Sequence, residues 1–354
     1  GGLASVGTRR NLIPVGQLPG GPYAPARFIT PGSWARYILE DRLDPPLKLG
    51  YIVASNVINR SPDARANAQA LQQLDFVVVH EQFMTPTARC ADLVLPIVTD
   101  LERSDLVTSW GHDSHLFHMR QAIAPLGELR TDYWILSRLA ERLGFGLEYT
   151  QGRSEDEWVA ALLQNDALDG ESLRRDGLMR TDGAPRVALA EFRADPIAHP
   201  LKTLSGRIEI TSEQAVRCGL PAIPSYIPDH PAESDYPLQL VTPHSKWRSN
   251  SCVHANPWLR RLERHAVWLN PVDAMARGIA DGDPVEVSSP AGVTRLPARV
   301  TARIMPGVAC IYQGAWYSPG DDGIDQAGCA NVLTSHRLSP SGGITTHTAW
   351  VQAR

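Results

Sequence analysis

The sequence predicts a parallel α/β segment followed by a compact all-β barrel or sandwich. Two continuous apolar runs, Tyr51-Ile52-Val53-Ala54 and Phe76-Val77-Val78-Val79, flank a helical stretch. Together they make a strand–helix–strand unit of about 30 residues, whose β-branched content suits a parallel sheet covered on both faces. From residue 236 onward, short strand-like runs alternate with Gly and Pro at close spacing, which points to a small barrel or sandwich.

Residues 1–48, rich in Pro and Gly and without regular apolar spacing, read as irregular connection. The α/β segment is placed at 49–164. Ser61 before Pro62 reads as an N-cap with proline at the first helical position, and Ala68, Leu71 and Leu74 follow at helical spacing. Leu93-Val94-Leu95-Pro96 reads as a further strand of the same sheet. Thr131 is placed to cap a helix bearing Ile135, Leu136, Leu139 and Leu143, with Gly144 to end it. Ser154 and Glu157 form a capping box for a helix carrying Trp158 and Leu162. Between 165 and 235 the pattern weakens into turn-rich pieces, expected as a crossover linker. In 236–354, strands are expected at 238–242, 266–269, 285–288, 298–301 and 308–312. Asn270-Pro271 opens a short helix ending at Gly278, and Asp281-Gly282-Asp283 makes a tight turn.

Composition narrows the function classes. Lys plus Arg number 34 against 38 Asp plus Glu, a net charge of −4 with no basic block, so a nucleic-acid partner is not expected. No apolar run approaches the roughly 18–20 residues of a membrane-spanning helix. The five cysteines, Cys90, Cys218, Cys252, Cys310 and Cys329, contain no C-x-x-C pair. That argues against a zinc or iron–sulfur cage built by this chain alone, and buried free thiols are expected. His112, His115 and His118 recur every three residues but read as loop decoration in preference to a metal site. The chain starts Gly1-Gly2-Leu3 with no readable signal peptide. No G-x-S-x-G, H-E-x-x-H, P-loop or G-x-G-x-x-G occurs.

Polar residues cluster where strands end. Ser55-Asn56-Val57-Ile58-Asn59-Arg60 follows the first strand, and ligands of open α/β sheets bind beyond the carboxyl ends of the strands. Glu81 closes the second strand, where a carboxylate can accept hydrogen bonds from a guanine edge or a ribose; Arg103 can pair with phosphate. The densest group is Thr242-Pro243-His244-Ser245-Lys246-Trp247-Arg248-Ser249-Asn250, directly after a strand. It holds three potential cations among hydroxyls and amides, a composition suited to an anionic, heteroatom-rich ligand and equally to a solvated loop.

Read together, these motifs resemble a known family. Ala54-Ser55-Asn56-Val57-Ile58-Asn59, Phe83-Met84-Thr85-Pro86-Thr87-Ala88 with Ala91-Asp92-Leu93-Val94-Leu95-Pro96, and Trp268-Leu269-Asn270-Pro271-Val272-Asp273-Ala274 are similar to the molybdopterin oxidoreductases of the dimethyl sulfoxide reductase family. So are Arg303-Ile304-Met305-Pro306-Gly307-Val308, Gly314-Ala315-Trp316-Tyr317 and Asn331-Val332-Leu333-Thr334. Phe192 to Pro196, Ser205 to Ile210 and His347-Thr348 add to the likeness, which is greatest to the catalytic subunits of the anaerobic, membrane-associated branch.

The resemblance implies a chain about half the family's length, lacking the amino-terminal half. It implies the second part of an α/β dinucleotide-binding domain and a double-psi-type β-barrel. The cofactor implied is Mo-bis(molybdopterin guanine dinucleotide), with a 4Fe-4S cluster and the metal's protein ligand in the absent portion. Cofactor contacts are carried onto Asn56, Glu81, Arg103 and Asp132 for the dinucleotides, onto Thr242, His244, Ser245, Lys246, Arg248 and Ser249 for pterin and pyrophosphate, and onto Asn331 for pterin. No residue here is expected to be catalytic or to bind metal directly. The implied activity is oxygen-atom transfer from an S-oxide or N-oxide, with selenate, another oxyanion or formate as alternative substrates. A molybdenum-free structural or electron-transfer subunit is the non-enzymatic alternative. Implied partners are an iron–sulfur electron-transfer subunit and a membrane quinol-oxidising anchor, with a periplasmic or membrane-associated location.

Overall fold

The computed structural model describes residues 15, 18, 28–108, 115–164, 168–180, 187–226, 235–339, 343–347 and 349–354. His112, Asn165 and Thr348 lie outside the described residues. The chain forms two compact units, Arg27–Leu95 with Ser225–Arg354, and Gly1–Ala26 with Pro96–Pro224.

In the first of these units, strands β1 (Leu49–Val53), β2 (Phe76–Glu81) and β3 (Leu93–Pro96) form a sheet in that order. β1 and β2 are parallel, with Leu49 opposite Phe76 and Val53 opposite His80. The crossover helix is Ala64–Gln72, starting later than the Ser61-Pro62 pair suggests. Asp63, at φ 53°, is its N-cap and accepts from the Ala66 amide. Ser61 instead ends a separate short helix, Val57–Arg60, and its hydroxyl donates to the Pro31 carbonyl at 2.6 Å. Asn67 Nδ2 lies within 3.2 Å of the carbonyl oxygens of Ile58, Ser61 and Pro62, which holds this bend between the two helices. The crossover helix buries Ala64, Ala68 and Leu71 against Ile58, Tyr317, Cys329 and Val332. One sheet face packs Val77 and Val79 on Ala88, Leu74 and Val94.

In the other unit, β4 (Asp105–Thr108), β5 (His115–Met119) and β6 (Leu178–Arg180) form an antiparallel sheet in that order. These strands are too short to carry a sequence period. β6 and the helix Gly170–Asp176 lie within the stretch expected as a crossover linker, yet Leu168 and Leu173 are buried with Leu116, Val159 and Leu163. The two expected caps form: Thr131 accepts from the Trp134 amide, and Ser154 with Glu157 makes the capping box.

The remaining strands are β7 (Leu238–Val241), β8 (Val267–Leu269), β9 (Pro284–Ser288), β10 (Val293–Val300), β11 (Val308–Cys310) and β12 (Trp350–Ala353). They close into a six-stranded barrel in the order β10-β8-β11-β7-β12-β9. β7 is parallel to β11 and antiparallel to β12, while β8 is parallel to β10 and antiparallel to β11. Burial alternates along β9 and β10, where Val285, Val287, Leu296 and Ala298 point inward with Leu240, Leu269 and Val351. Each of these valine and leucine side chains, fully buried, contributes about 1.5–3 kcal/mol of transfer free energy. β12 and the first half of β10 go beyond the strands expected from sequence, because a four-residue strand and one interrupted by Pro297 offer little pattern.

No helix among the described residues is long and apolar enough to cross a membrane. All five cysteines are free; Cys310 and Cys329 are buried and Cys90 half-buried, but Cys218 and Cys252 are exposed, against the expectation of burial. His115 and His118 lie on β5, and no group of three or more metal-ligating side chains occurs among the described residues.

Candidate functional site

Three segments that leave strand ends converge in the barrel-containing unit: residues 54–62 after β1, 242–254 after β7 and 311–317 after β11. Asn59 stitches the first to the third, donating from Nδ2 to the Ala315 carbonyl at 2.6 Å and accepting from the Tyr317 amide at 3.2 Å. Trp316 Nε1 donates to the Ser251 carbonyl at 2.8 Å, and Asn56 Nδ2 lies 3.3 Å from Ser251 Oγ. Short strands end here because the polar runs that follow them cannot continue a buried ladder, and side-chain amides satisfy the loop carbonyls instead.

Nine of the eleven residues chosen from sequence belong to this unit, whereas Arg103 and Asp132 belong to the other. Arg103 pairs with Asp105 at 2.7 Å and Asp100 at 3.1 Å. Asp132 is the first residue of the helix Asp132–Arg142. Glu81 accepts from the Gln82 amide and from Thr85 Oγ1. Asn56 Oδ1 accepts from Thr87 Oγ1 at 2.8 Å. Asn331 donates both amide hydrogens to backbone, to the Asn59 carbonyl at 2.7 Å and the Ser61 carbonyl at 3.1 Å, which leaves only its Oδ1 for another partner.

Within the loop after β7, Thr242 and Ser245 are buried, the latter accepting from the Trp247 amide at 3.0 Å. Thr242 Oγ1 lies 3.4 Å from His347 Nδ1. His244, Lys246 and Ser249 are exposed. The His244 ring lies 2.9 Å from Gln313 Nε2. The Lys246 ammonium sits 5.3 Å from the Trp247 ring centroid, a cation–π contact.

Arg248 behaves differently. Its side chain is 5% exposed, with Nε 3.1 Å from Glu263 Oε2, an ion pair lacking hydrogen-bond alignment. Nη1 lies 3.3 Å from His254 Nδ1 and Nη2 3.1 Å from His265 Nδ1. Burial, then the Arg248 charge, lowers the pKa of both histidines to about 4, so both rings are neutral near pH 7. Burial also lowers the Arg248 pKa while Glu263 opposes it; a guanidinium stays charged regardless. These groups, with Arg260 and Arg295, line a cavity of about 420 Å³. Sequence reasoning missed His254, Glu263 and His265, which lack a recognisable spacing and which only folding places against Arg248. Asn59 stands in the polar run after the first strand without a role of its own in the sequence, which its bonds to Ala315 and Tyr317 supply.

Residues 40–142 match the family model of the molybdopterin oxidoreductases, and residues 238–350 match that of the molybdopterin dinucleotide binding domain. The chain belongs to the molybdopterin oxidoreductases. It is 36% identical to the dimethyl sulfoxide reductase DmsA of Escherichia coli over 88% of this chain and 42% of that relative. It is 36% identical to a dimethyl sulfoxide/trimethylamine N-oxide reductase of Cereibacter sphaeroides, over 87% of this chain and 41% of the relative. A biotin sulfoxide reductase of the same organism is 32% identical over 92% and 46%. The chain thus spans less than half the length of these relatives. The fold matches acetylene hydratase from Pelobacter acetylenicus, with TM-score 0.75, 22% identity, and coverage of 92% of this chain and 46% of that one.

The residues present fit the family's dinucleotide cofactor. The loop after β7 exposes a lysine, an imidazole and a hydroxyl, a donor set suited to phosphate oxygens, and is braced at Ser251 by Trp316 on the carbonyl and Asn56 on the hydroxyl.

Proposed function

We propose that this chain is the cofactor-binding, carboxy-terminal half of a molybdenum oxidoreductase that reduces S-oxides or N-oxides by oxygen-atom transfer. The observation that carries the reading is the exposed donor set of His244, Lys246 and Ser249 on a loop held by its neighbours. The named activities of the sulfoxide and N-oxide reductase relatives support the substrate class. When bound, Mo-bis(molybdopterin guanine dinucleotide) supplies two-electron redox chemistry; the protein binds and orients it. His244, Lys246 and Ser249 face phosphate and pterin, Thr242 and Ser245 shape the loop, and Glu81 accepts from a guanine edge. Asn56 and Asn331 hold the neighbouring loops, and Arg103 and Asp132 serve a dinucleotide. The mixed parallel and antiparallel pairing of the barrel supports a double-psi arrangement. The proposed domain bounds are 49–164 and 236–354; the family matches run over 40–142 and 238–350.

The complete enzyme, in this proposal, carries a 4Fe-4S cluster in its amino-terminal half. It receives electrons from an iron–sulfur subunit and a membrane quinol-oxidising anchor, at a periplasmic or membrane-associated location. The test is anaerobic expression of the full-length protein, followed by metal and guanine analysis and turnover of dimethyl sulfoxide, trimethylamine N-oxide and biotin sulfoxide with a reduced viologen. Molybdenum with two guanines per metal and turnover of these substrates is expected. Protein free of molybdenum and guanine overturns the reading in favour of a structural subunit, and turnover confined to selenate or formate overturns the substrate class.

A further inference from the structure

We infer that Arg248 is a positioning residue, fixed by a cage of Glu263, His254 and His265 so that the loop after β7 keeps its shape, and that Lys246 is the cation this loop offers to the cofactor's phosphates. The inference rests on the functional reading above and divides labour among residues that composition alone treats alike.

Geometry leaves Arg248 little to offer a ligand. Nε, Nη1 and Nη2 each face a protein partner at 3.1, 3.3 and 3.1 Å, on a side chain 5% exposed. Arginine is a donor only, so both facing Nδ1 atoms must be unprotonated acceptors. Each ring then carries its proton on Nε2, and His265 Nε2 donates to the Gly328 carbonyl at 2.9 Å. The cage therefore has one consistent set of tautomers. Its backing is tight, because a Cβ on Gly328 would fall 2.7 Å from His265 Nε2.

Charge leads to the same division. Glu263, with a side chain 9% exposed, stands against Arg248 and balances it, so a phosphate drawn to this guanidinium would have to compete with a buried carboxylate. Lys246 has no ion pair among the described residues and is exposed; its one contact of this kind is with its neighbour Trp247. Arg248 and His254 straddle the stretch whose Ser251 is bonded by Trp316 and Asn56. Fixing Arg248 thus fixes the loop from its buried side.

The sign of one substitution separates this arrangement from direct phosphate contact. The probe is inorganic pyrophosphate, titrated by calorimetry into the full-length apoprotein, with molybdenum and guanine content of the loaded protein as the second readout. If Arg248 touched phosphate, Glu263→Gln would release it from its carboxylate and tighten pyrophosphate, and Arg248→Lys would keep most of the affinity. The cage predicts the reverse: Glu263→Gln weakens binding, Arg248→Lys is as poor as Arg248→Ala, and Lys246→Ala weakens pyrophosphate about tenfold or more, the size of a charge-assisted hydrogen bond. Should these variants unfold, Arg248→Met combined with Glu263→Leu replaces the buried pair by apolar volume, a change proteins tolerate. That double variant is expected to keep its melting temperature and most of its pyrophosphate affinity, because the loop stays shaped and Lys246 is untouched. Tighter binding in Glu263→Gln, or lost pyrophosphate binding in a double variant of unchanged melting temperature, overturns the inference alone. Absence of molybdenum and guanine from the wild-type protein overturns the functional reading and this inference with it.

Discussion

Gly314 lies so close to Asn250 that a Cβ placed on it would fall 1.7 Å from the Asn250 carbonyl oxygen. The residue also has φ 94°, which L side chains rarely adopt. The approach brings the segment after β11 onto the loop after β7. Gly314→Ala is expected to destabilise the protein by about 2–4 kcal/mol, combining overpacking with backbone strain, and to lower its molybdenum content. Gly323 provides the control: φ is 75° there, but nothing lies within 4 Å of the added Cβ, so alanine should cost about 1–2 kcal/mol, the left-handed penalty alone. Equal melting temperatures for the two variants would show that the close approach is absent.

The caged histidines make stability depend on acid. Their folded pKa of about 4 lies below the ordinary 6.5. The unfolded chain therefore binds more protons between those values, and stability falls as pH drops from 6.5 to 4. The contribution is complete above 6.5 and lost below 4. For His265 the loss is on the order of 3 kcal/mol. Urea unfolding at pH 7, 6, 5 and 4 should show the decline, and His265→Gln should flatten it; a wild-type profile level across that window would contradict the buried neutral rings.

Asp325, fully buried, accepts from the Ser318 amide through Oδ1 at 2.7 Å, and from Thr294 Oγ1 at 2.5 Å and the Cys329 amide at 2.7 Å through Oδ2. Both carboxylate oxygens are acceptors to fixed donors, so Asp325→Asn must turn an NH2 toward one of them. A loss of about 2–4 kcal/mol is expected, read as a lower urea midpoint; a midpoint unchanged from wild type would exclude this role.

Thiol reactivity should sort by burial. Cys218 and Cys252 are exposed, whereas burial raises the pKa of Cys310 to about 11 and pushes that of Cys329 up further. Iodoacetamide at pH 8, mapped peptide by peptide in the native full-length protein, is expected to label Cys218 and Cys252 and to reach Cys310 and Cys329 only after unfolding. Native labelling of Cys329 would be inconsistent with the packing around Asn59.

Local rules located much of the framework. Thr131, Ser154 with Glu157, and Asn270 each cap the helix that their side chains announce, because capping is satisfied within a few residues. The β1–β2 unit follows from β-branched runs around a helix. Ser61 failed as a cap because Asp63 and Asn67, also local in sequence, bind the same turn more completely. The antiparallel sheet of β4, β5 and β6 escaped, since three-to-five-residue strands carry too few alternations to stand out.

The site divides along the same line. Residue types at the strand ends, the polar loop after β7 and the collinear motifs that place the chain among the molybdopterin oxidoreductases are legible without coordinates, because composition and spacing are properties of neighbours in the chain. What those side chains do depends on folding. Arg248 and Lys246, two positions apart, look interchangeable as cations, yet one is enclosed by Glu263, His254 and His265 and the other is exposed. Asn331 reads as a free amide until its hydrogens are found on the Asn59 and Ser61 carbonyls. Asn331 and Asn59 lie more than 200 residues apart in the chain, and no local pattern encodes a contact at that separation.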